Sequence, residues 1–192
     1  MMKDISQQGV FLSKNYTISK YLQMEKEGNK IELIRFIKER FTERYITPLR
    51  SESDIKHGFC TMAICCLMIE TLESFWQGWG DTSGKGKLTF CSFFNRSNNL
   101  SIFNNHKTDF YKNVRCGILH QAETKNGWQI HRVGLLLDSK TKTINATKFH
   151  NEMEVCLNDY CSVLEKLEWD SEAWINFRKK MKIIIANCSR FK

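Results

Sequence analysis

Hydrophobic residues recur at three- and four-residue intervals along most of the chain, the spacing of one face of an α-helix. From Asn29, the series Ile31, Ile34, Ile37, Phe41 and Tyr45 predicts a helix ending near Pro48. Ser53 and Asp54 are placed to cap the next helix, which is expected to run to about Trp76. Its middle, FCTMAICCLMIE, is apolar on every side and predicts a central buried helix. After the loop GWGDTSGKGK, LTFCSFF starts a short helix, and residues 95–105 form an Asn- and Ser-rich connector. Another helix is expected from Asp109 to about Ala122, with Phe110, Val114 and Ile118 at four-residue spacing. KNG at 125–127 signals a turn, and WQIHRVGLLLDSKTKTINATKF suits two strands joined at DSKTK. Two helices close the chain: one carries Met153, Cys156, Tyr160, Leu164 and Leu167, the other Trp174, Phe177, Met181, Ile184 and Cys188. Residues 1–28 are polar and poorly periodic, with a short helix around Ile18 to Met24 in a loosely ordered segment. The pattern predicts a mainly α chain, an up-and-down helical bundle with one small β-hairpin insertion, folded as a single domain over 1–192.

Composition agrees with that picture. One proline, Pro48, and ten glycines leave few helix breakers. Hydrophobic content of 42% and charged content of 26% describe a globular chain and exclude a disordered one. The longest apolar run, Met62 to Ile69, falls short of the roughly 20 residues that span a bilayer, so no membrane partner is expected. MMKDISQQGVFLSK has no apolar signal core, which gives a cytoplasmic expectation. The eight cysteines sit mostly in apolar helical patterns, with no C-x-x-C pair and no zinc spacing. They read as small buried hydrophobes, and no metal or cofactor is expected. A formal charge of +8 and a pI near 9.1 attract polyanions without specifying one.

Chemistry concentrates in VRCGILHQAE, which places Arg115 and His120 in an otherwise apolar stretch. Arginine offers a permanent charge and a planar donor fork for phosphate oxygens. Histidine moves a proton near neutral pH. Together they suffice to cleave RNA by internal transfer, because the ribose 2′-hydroxyl is the nucleophile. On an ideal helix, positions five apart differ by roughly 140°, so the two side chains do not share a face. Convergence needs the reach of arginine, an irregular helix end or a second subunit. Taken alone, an arginine near a histidine on a helix is more often a salt-bridge former beside a hydrogen-bonded imidazole.

The run Arg115-Cys116-Gly117-Ile118-Leu119-His120 resembles the R-x4-6-H motif of the HEPN superfamily, small helical proteins that include bacterial toxin and phage-defence ribonucleases. The setting is similar over about residues 55–130, through MIETLESFW, DTSGKG and FYKNVRCGILHQAETKNGW. The resemblance implies an up-and-down helical fold, a homodimer and metal-independent endoribonuclease action in a composite site. Arg115 and His120 are the catalytic residues it carries over, and RNA is the substrate it implies. An antitoxin or other defence-system protein is an implied partner. Two positions depart from the family: Cys116 stands where a polar residue, commonly asparagine, often follows the arginine. Ala122 stands where toxins paired with nucleotidyltransferase antitoxins carry tyrosine.

Glu70 and Glu73 lie one turn apart where the apolar helix turns polar. A carboxylate there is suited to orient Arg115 or His120. The resemblance favours an acid on this helix, and Glu70 is the choice for the catalytic set. Glu73, Lys112 and Asn113 are the candidates for substrate contact. Arg178, Lys179, Lys180 and Lys182 form a basic cluster suited to sequence-blind phosphate attraction. Trp76, Trp79 and Trp128 are read as core. The Gly-rich loop fails the spacing G-x-x-x-x-G-K-[ST] and follows a helix, so a nucleotide sensor using Lys85 ranks last. The alternative to the nuclease is a catalytically silent helical adaptor for nucleic acid or a partner protein.

Overall fold

The computed structural model describes residues 9–50 and 57–188; the expected cap at Ser53 and Asp54, and residues 1–8 of the N-terminal segment, lie outside the described residues. The chain is mainly helical, with a small hairpin and a small sheet, and it divides into two compact units.

The first unit takes Met1–Arg44, Ser74–Gly80 and Leu157–Lys192. It opens with β1 (Phe11–Ser13) and β2 (Tyr16–Thr17), an antiparallel hairpin that sequence periodicity did not reveal. A carboxylate from another element orders it. Glu39 accepts from Ser13 Oγ at 2.8 Å, from Asn15 N at 2.9 Å and from Asn15 Nδ2 at 2.8 Å. Burial works against the Glu39 charge, but the Asn15 and Ser13 hydrogen bonds outweigh it and hold its pKa below the ordinary value. Thr17 then caps α1 (Ile18–Lys26), and Asn29 caps α2 (Lys30–Phe41) by accepting from Glu32 N at 3.2 Å.

The buried face of α2 is Leu33, Phe36, Ile37 and Phe41, whereas Ile31 is 66% exposed. The expected series stepped by three from Ile31, and each such step falls about 60° short of a full turn, so it drifts off the core face. Phe36 packs between Tyr16 and Tyr21, with ring centroids 5.4 Å from each. Phe75, in the last turns of α4 (Gly58–Gln77), meets Phe41 and Phe177 at 5.8 and 5.6 Å. Phe177 lies on α9 (Glu172–Cys188), where Trp174 also turns inward and donates to Leu164 O at 2.9 Å.

The second unit takes Tyr45–Glu73 and Asp81–Cys156. Its elements are α3 (Thr47–Arg50), most of α4, α5 (Gly86–Arg96), a 3₁₀ turn (Asn98–Phe103), α6 (Lys107–Asp109), a π-helical turn (Phe110–Arg115) and α7 (Cys116–Gln121). Its sheet comprises β3 (Gln129–His131), β4 (Leu137–Asp138) and β5 (Thr143–Asn145), followed by α8 (Ala146–Lys166), whose first turns belong to this unit. The core is phenylalanine: Phe94 stacks on Phe103 at 5.3 Å, and Phe110 on Phe149 at 5.4 Å. The expected hairpin is β4–β5, but β3 adds to it in parallel, giving the order β3-β5-β4. Asp138 fixes the connecting turn by accepting from Lys140 N at 3.0 Å and Thr141 N at 3.3 Å.

α4 is apolar all round, as the sequence predicts, and long and apolar enough to span a membrane by length and composition; 56% of its apolar window is buried within the fold. The helix is therefore only partly enclosed. Its outward face carries Phe59, Cys60, Ala63, Ile64 and Leu67, within about 140° of arc, before Glu70.

On α8, His150 is buried and its Nε2 donates to Tyr45 O at 3.0 Å. Burial lowers its pKa; the Arg50 and His57 charges lower it further, against the Tyr45 bond and Glu154, which raise it. A depressed histidine pKa means that the unfolded chain binds the proton first, so stability is full above about pH 6.5 and falls as pH drops toward the folded-state value. Urea melts between neutral and mildly acidic pH are expected to show that loss, and His150→Gln to flatten it.

Candidate active site

Arg115 sits where the π-helical turn passes into α7, and its guanidinium meets α4. Nε donates to Glu70 Oε1 at 2.8 Å and Nη2 to the same oxygen at 2.7 Å. The other carboxylate oxygen, Oε2, accepts from Thr82 Oγ1 at 2.6 Å. Side-chain exposures of 19% for Arg115 and 15% for Glu70 place the pair at a half-buried edge, where water screens it incompletely. Burial opposes the Arg115 charge, yet the attraction and hydrogen bonds of Glu70 prevail and hold its pKa above the ordinary value.

Three more side chains complete this cluster. The Tyr111 ring lies 5.7 Å from the guanidinium carbon. Burial and a hydrogen bond with Cys116 raise the Tyr111 pKa. Cys66 on α4 is fully buried beside Glu70, Arg115 and Cys116, and burial pushes its thiol well up, so it stays protonated and packs as a hydrophobe. The Gly-rich loop serves this cluster in two ways: it delivers Thr82, and at Gly86 it leaves room for Tyr111. A Cβ on Gly86 would lie 2.5 Å from the Tyr111 hydroxyl oxygen.

His120 stands exposed in the last turn of α7, which ends at Gln121 with Ala122 in the left-handed region at φ 55°. Arg115 and His120 leave the helix on different faces, as their five-residue separation requires. Arg115 turns in toward α4 and His120 turns out to solvent. Gly117 between them answers a separate demand. The chain doubles back after Ala122, so a Cβ at 117 would lie 2.5 Å from Glu123 O and 3.0 Å from Thr124 Cα. Gly117→Ala is expected to cost roughly 1–3 kcal/mol of stability in a urea melt through this overpacking.

The structure thus brings Glu70 and Arg115 together and sends the other acid elsewhere. Glu73 has no exposed surface and accepts from Arg96 on α5. Asn113 is buried as well: its Oδ1 accepts from Asn126 Nδ2 at 2.8 Å and its backbone oxygen from Lys125 N at 2.9 Å. It anchors the turn after α7. Lys112 is exposed. In the first unit the expected basic cluster is thinner than its sequence suggests. Lys180 is buried with Nζ donating to Gly80 O at 2.6 Å, and Arg178 stacks on Trp169 at 4.2 Å, while Lys179 and Lys182 are exposed. Trp128 is buried, and Trp76 packs on Tyr160 at 4.8 Å.

Sequence reasoning missed Thr82 and Tyr111. Tyr111 stands one turn before Arg115 and was within reach of helical spacing; nothing local marks Thr82. No protein-family model, curated protein or solved structure matches the chain.

Proposed function

We propose that this chain is a metal-independent endoribonuclease with a HEPN-like up-and-down helical architecture, acting in phage defence or as a toxin. The observation that carries the reading is the anchored arginine. Glu70, itself tied to Thr82, fixes Arg115 at the start of the helix that presents His120. The Glu70 contact engages two nitrogens of a fork that carries five donors, so a second anion can still be bound.

The reaction uses two imidazoles and supplies its own nucleophile. One His120 takes the proton of the ribose 2′-hydroxyl as its oxygen attacks phosphorus. The P–O5′ bond breaks, and a second His120 gives a proton to the departing oxygen. Arg115 neutralises charge on the phosphoryl oxygens in the transition state. The products are a 2′,3′-cyclic phosphate and a 5′-hydroxyl. One protomer supplies one His120, so the second comes from a two-fold partner, whose contact presents the same patch twice.

The outer face of α4 supports that partner. Phe59, Cys60, Ala63, Ile64 and Leu67 form an apolar stripe leading to Glu70, and Leu67 is 43% exposed. A second copy laid on this stripe brings two Glu70–Arg115 clusters toward one axis. Leu67→Glu is expected to give a monomer in sedimentation, with its helical circular dichroism retained and RNA cleavage lost. A variant that remains dimeric and active would remove the stripe from the assembly.

The direct test is incubation of the protein with RNA and with matched DNA in excess EDTA. Cleaved RNA ending in 2′,3′-cyclic phosphate, beside intact DNA, is the expected result. Intact RNA at high protein concentration favours the silent adaptor, a reading to which the apolar α4 stripe is equally suited as a protein-binding face.

A further inference from the structure

A second site lies in the same unit, at the other end of α4. A cavity of about 190 Å³ is lined by Arg50 of α3, His57 and Thr61 at the start of α4, Arg132 after β3, and Thr147 and His150 at the start of α8. We propose that this cavity binds a phosphate group, separately from the Arg115 cluster and independently of the nuclease reading.

The lining chemistry selects for an anion. Two guanidiniums, the His57 imidazole and the Thr147 hydroxyl line it, and none of the described lining residues is acidic. Arg50 is paired with Glu154. Arg50 keeps further donors on its planar fork. The first turns of two long helices, of 20 and 21 residues, contribute side chains here, so their positive ends add to the local potential. Asn145 caps α8 by accepting from Lys148 N at 3.0 Å. His150 Nε2 is committed to Tyr45 O, which fixes the ring in the cavity wall. Thr61 is likewise held, its hydroxyl donating to His57 O at 3.1 Å. These bonds preorganise the wall, which lowers the ordering cost of binding. Thr61 stands nine positions before Glu70 on α4, roughly 14 Å along the helix from the Glu70–Arg115 pair.

The phosphate has two sources: the backbone of a bound RNA, or a free phosphate or nucleotide. Histidine ring signals of the whole protein, followed by NMR during titration with inorganic phosphate at low salt, test the site itself. The His57 and His150 signals are expected to shift saturably, while His106, packed against Trp128 at 6.0 Å, stays in place. Arg132→Gln and Arg50→Gln are each expected to weaken that response about tenfold, the loss of a charge-assisted contact. Arg115→Gln leaves it intact, so failure here and failure of the nuclease reading are distinguishable. Fluorescence anisotropy with single-stranded RNA then separates the sources. A parallel loss in Arg132→Gln identifies backbone phosphate, and unchanged RNA affinity with weakened phosphate binding identifies a free ligand. Wild-type His57 and His150 signals that do not move with phosphate overturn the proposal, as does a response that survives both arginine substitutions.

Discussion

Arg96→Met is expected to lower the unfolding free energy by about 3 kcal/mol, one of the two largest effects anticipated for this chain. Glu73 is wholly buried and receives a hydrogen bond from Arg96. Methionine keeps much of the apolar stem of the arginine but removes the cation that Glu73, a buried carboxylate, binds. The 34% exposure of the Arg96 side chain places the effect toward the lower end of the range for broken buried pairs, since water screens the outer part of the guanidinium. Adding Glu73→Leu removes the stranded charge, and the double variant is expected to recover most of the loss. Urea melts of the four proteins form a double-mutant cycle. A double variant as unstable as the two single losses added together would show that the ion pair is not the source. The pair also joins α4 to α5, the helix whose first residue, Gly86, makes room for Tyr111.

The other large effect is catalytic. His120→Ala is expected to reduce RNA cleavage by roughly 10² to 10⁴, the range for removing a general acid or base. Because His120 is exposed, its removal is expected to leave the melting curve unchanged within about 0.5 kcal/mol. Arg115→Ala is expected to reduce cleavage as well, but with a loss of stability, because Glu70 is 15% exposed and its Oε1 then lacks both arginine bonds. On the proposed reading, the contrast separates a residue that acts only on substrate from one that also holds the fold. Arg115→Lys keeps the charge and loses the planar fork, so its activity is expected to stay at least tenfold below the parent. Equal stability losses in the alanine variants at 115 and 120 would contradict this division of roles.

Much of this site is legible in the amino-acid sequence. Arg115 and His120 stand out because charged and titratable groups are rare in an apolar helix. The place where α4 becomes polar marks Glu70 and Glu73 alike, and the choice of Glu70 rests on the family resemblance. The identity of each acid's partner is not legible there. Glu70 and Glu73 are three positions apart, about 60° off a common line on the helix; one meets Arg115 at the end of the π-helical turn and the other Arg96 of α5. Only the packing of neighbouring helices decides which goes where. Thr82 is hidden for the same reason, since a loop residue twelve positions later closes on Glu70 through tertiary contact.

The fold shows a similar boundary. The all-apolar α4 and the two closing helices follow from periodicity alone. The N-terminal hairpin depends on Glu39, a residue of α2, and no local pattern in residues 11–17 announces it. The parallel pairing of β3 with β5 is likewise non-local, whereas the β4–β5 hairpin is marked by Asp138 and the polar turn after it. The π-helical turn at Phe110–Arg115 replaces the first turns of an expected regular helix. Phe110 and Val114 bury at four-residue spacing on either reading, so their pattern does not distinguish the two.

The proposed cross-protomer site can be tested by mixing active and inactive chains. The proposed reaction uses two His120 imidazoles, one from each protomer, so a dimer of one wild-type chain and one His120→Ala chain is expected to be inactive. Co-refolding the wild type with increasing shares of His120→Ala and assaying RNA cleavage in EDTA is expected to give an activity that falls as the square of the wild-type fraction. Activity that falls in direct proportion to that fraction would contradict a site shared between protomers.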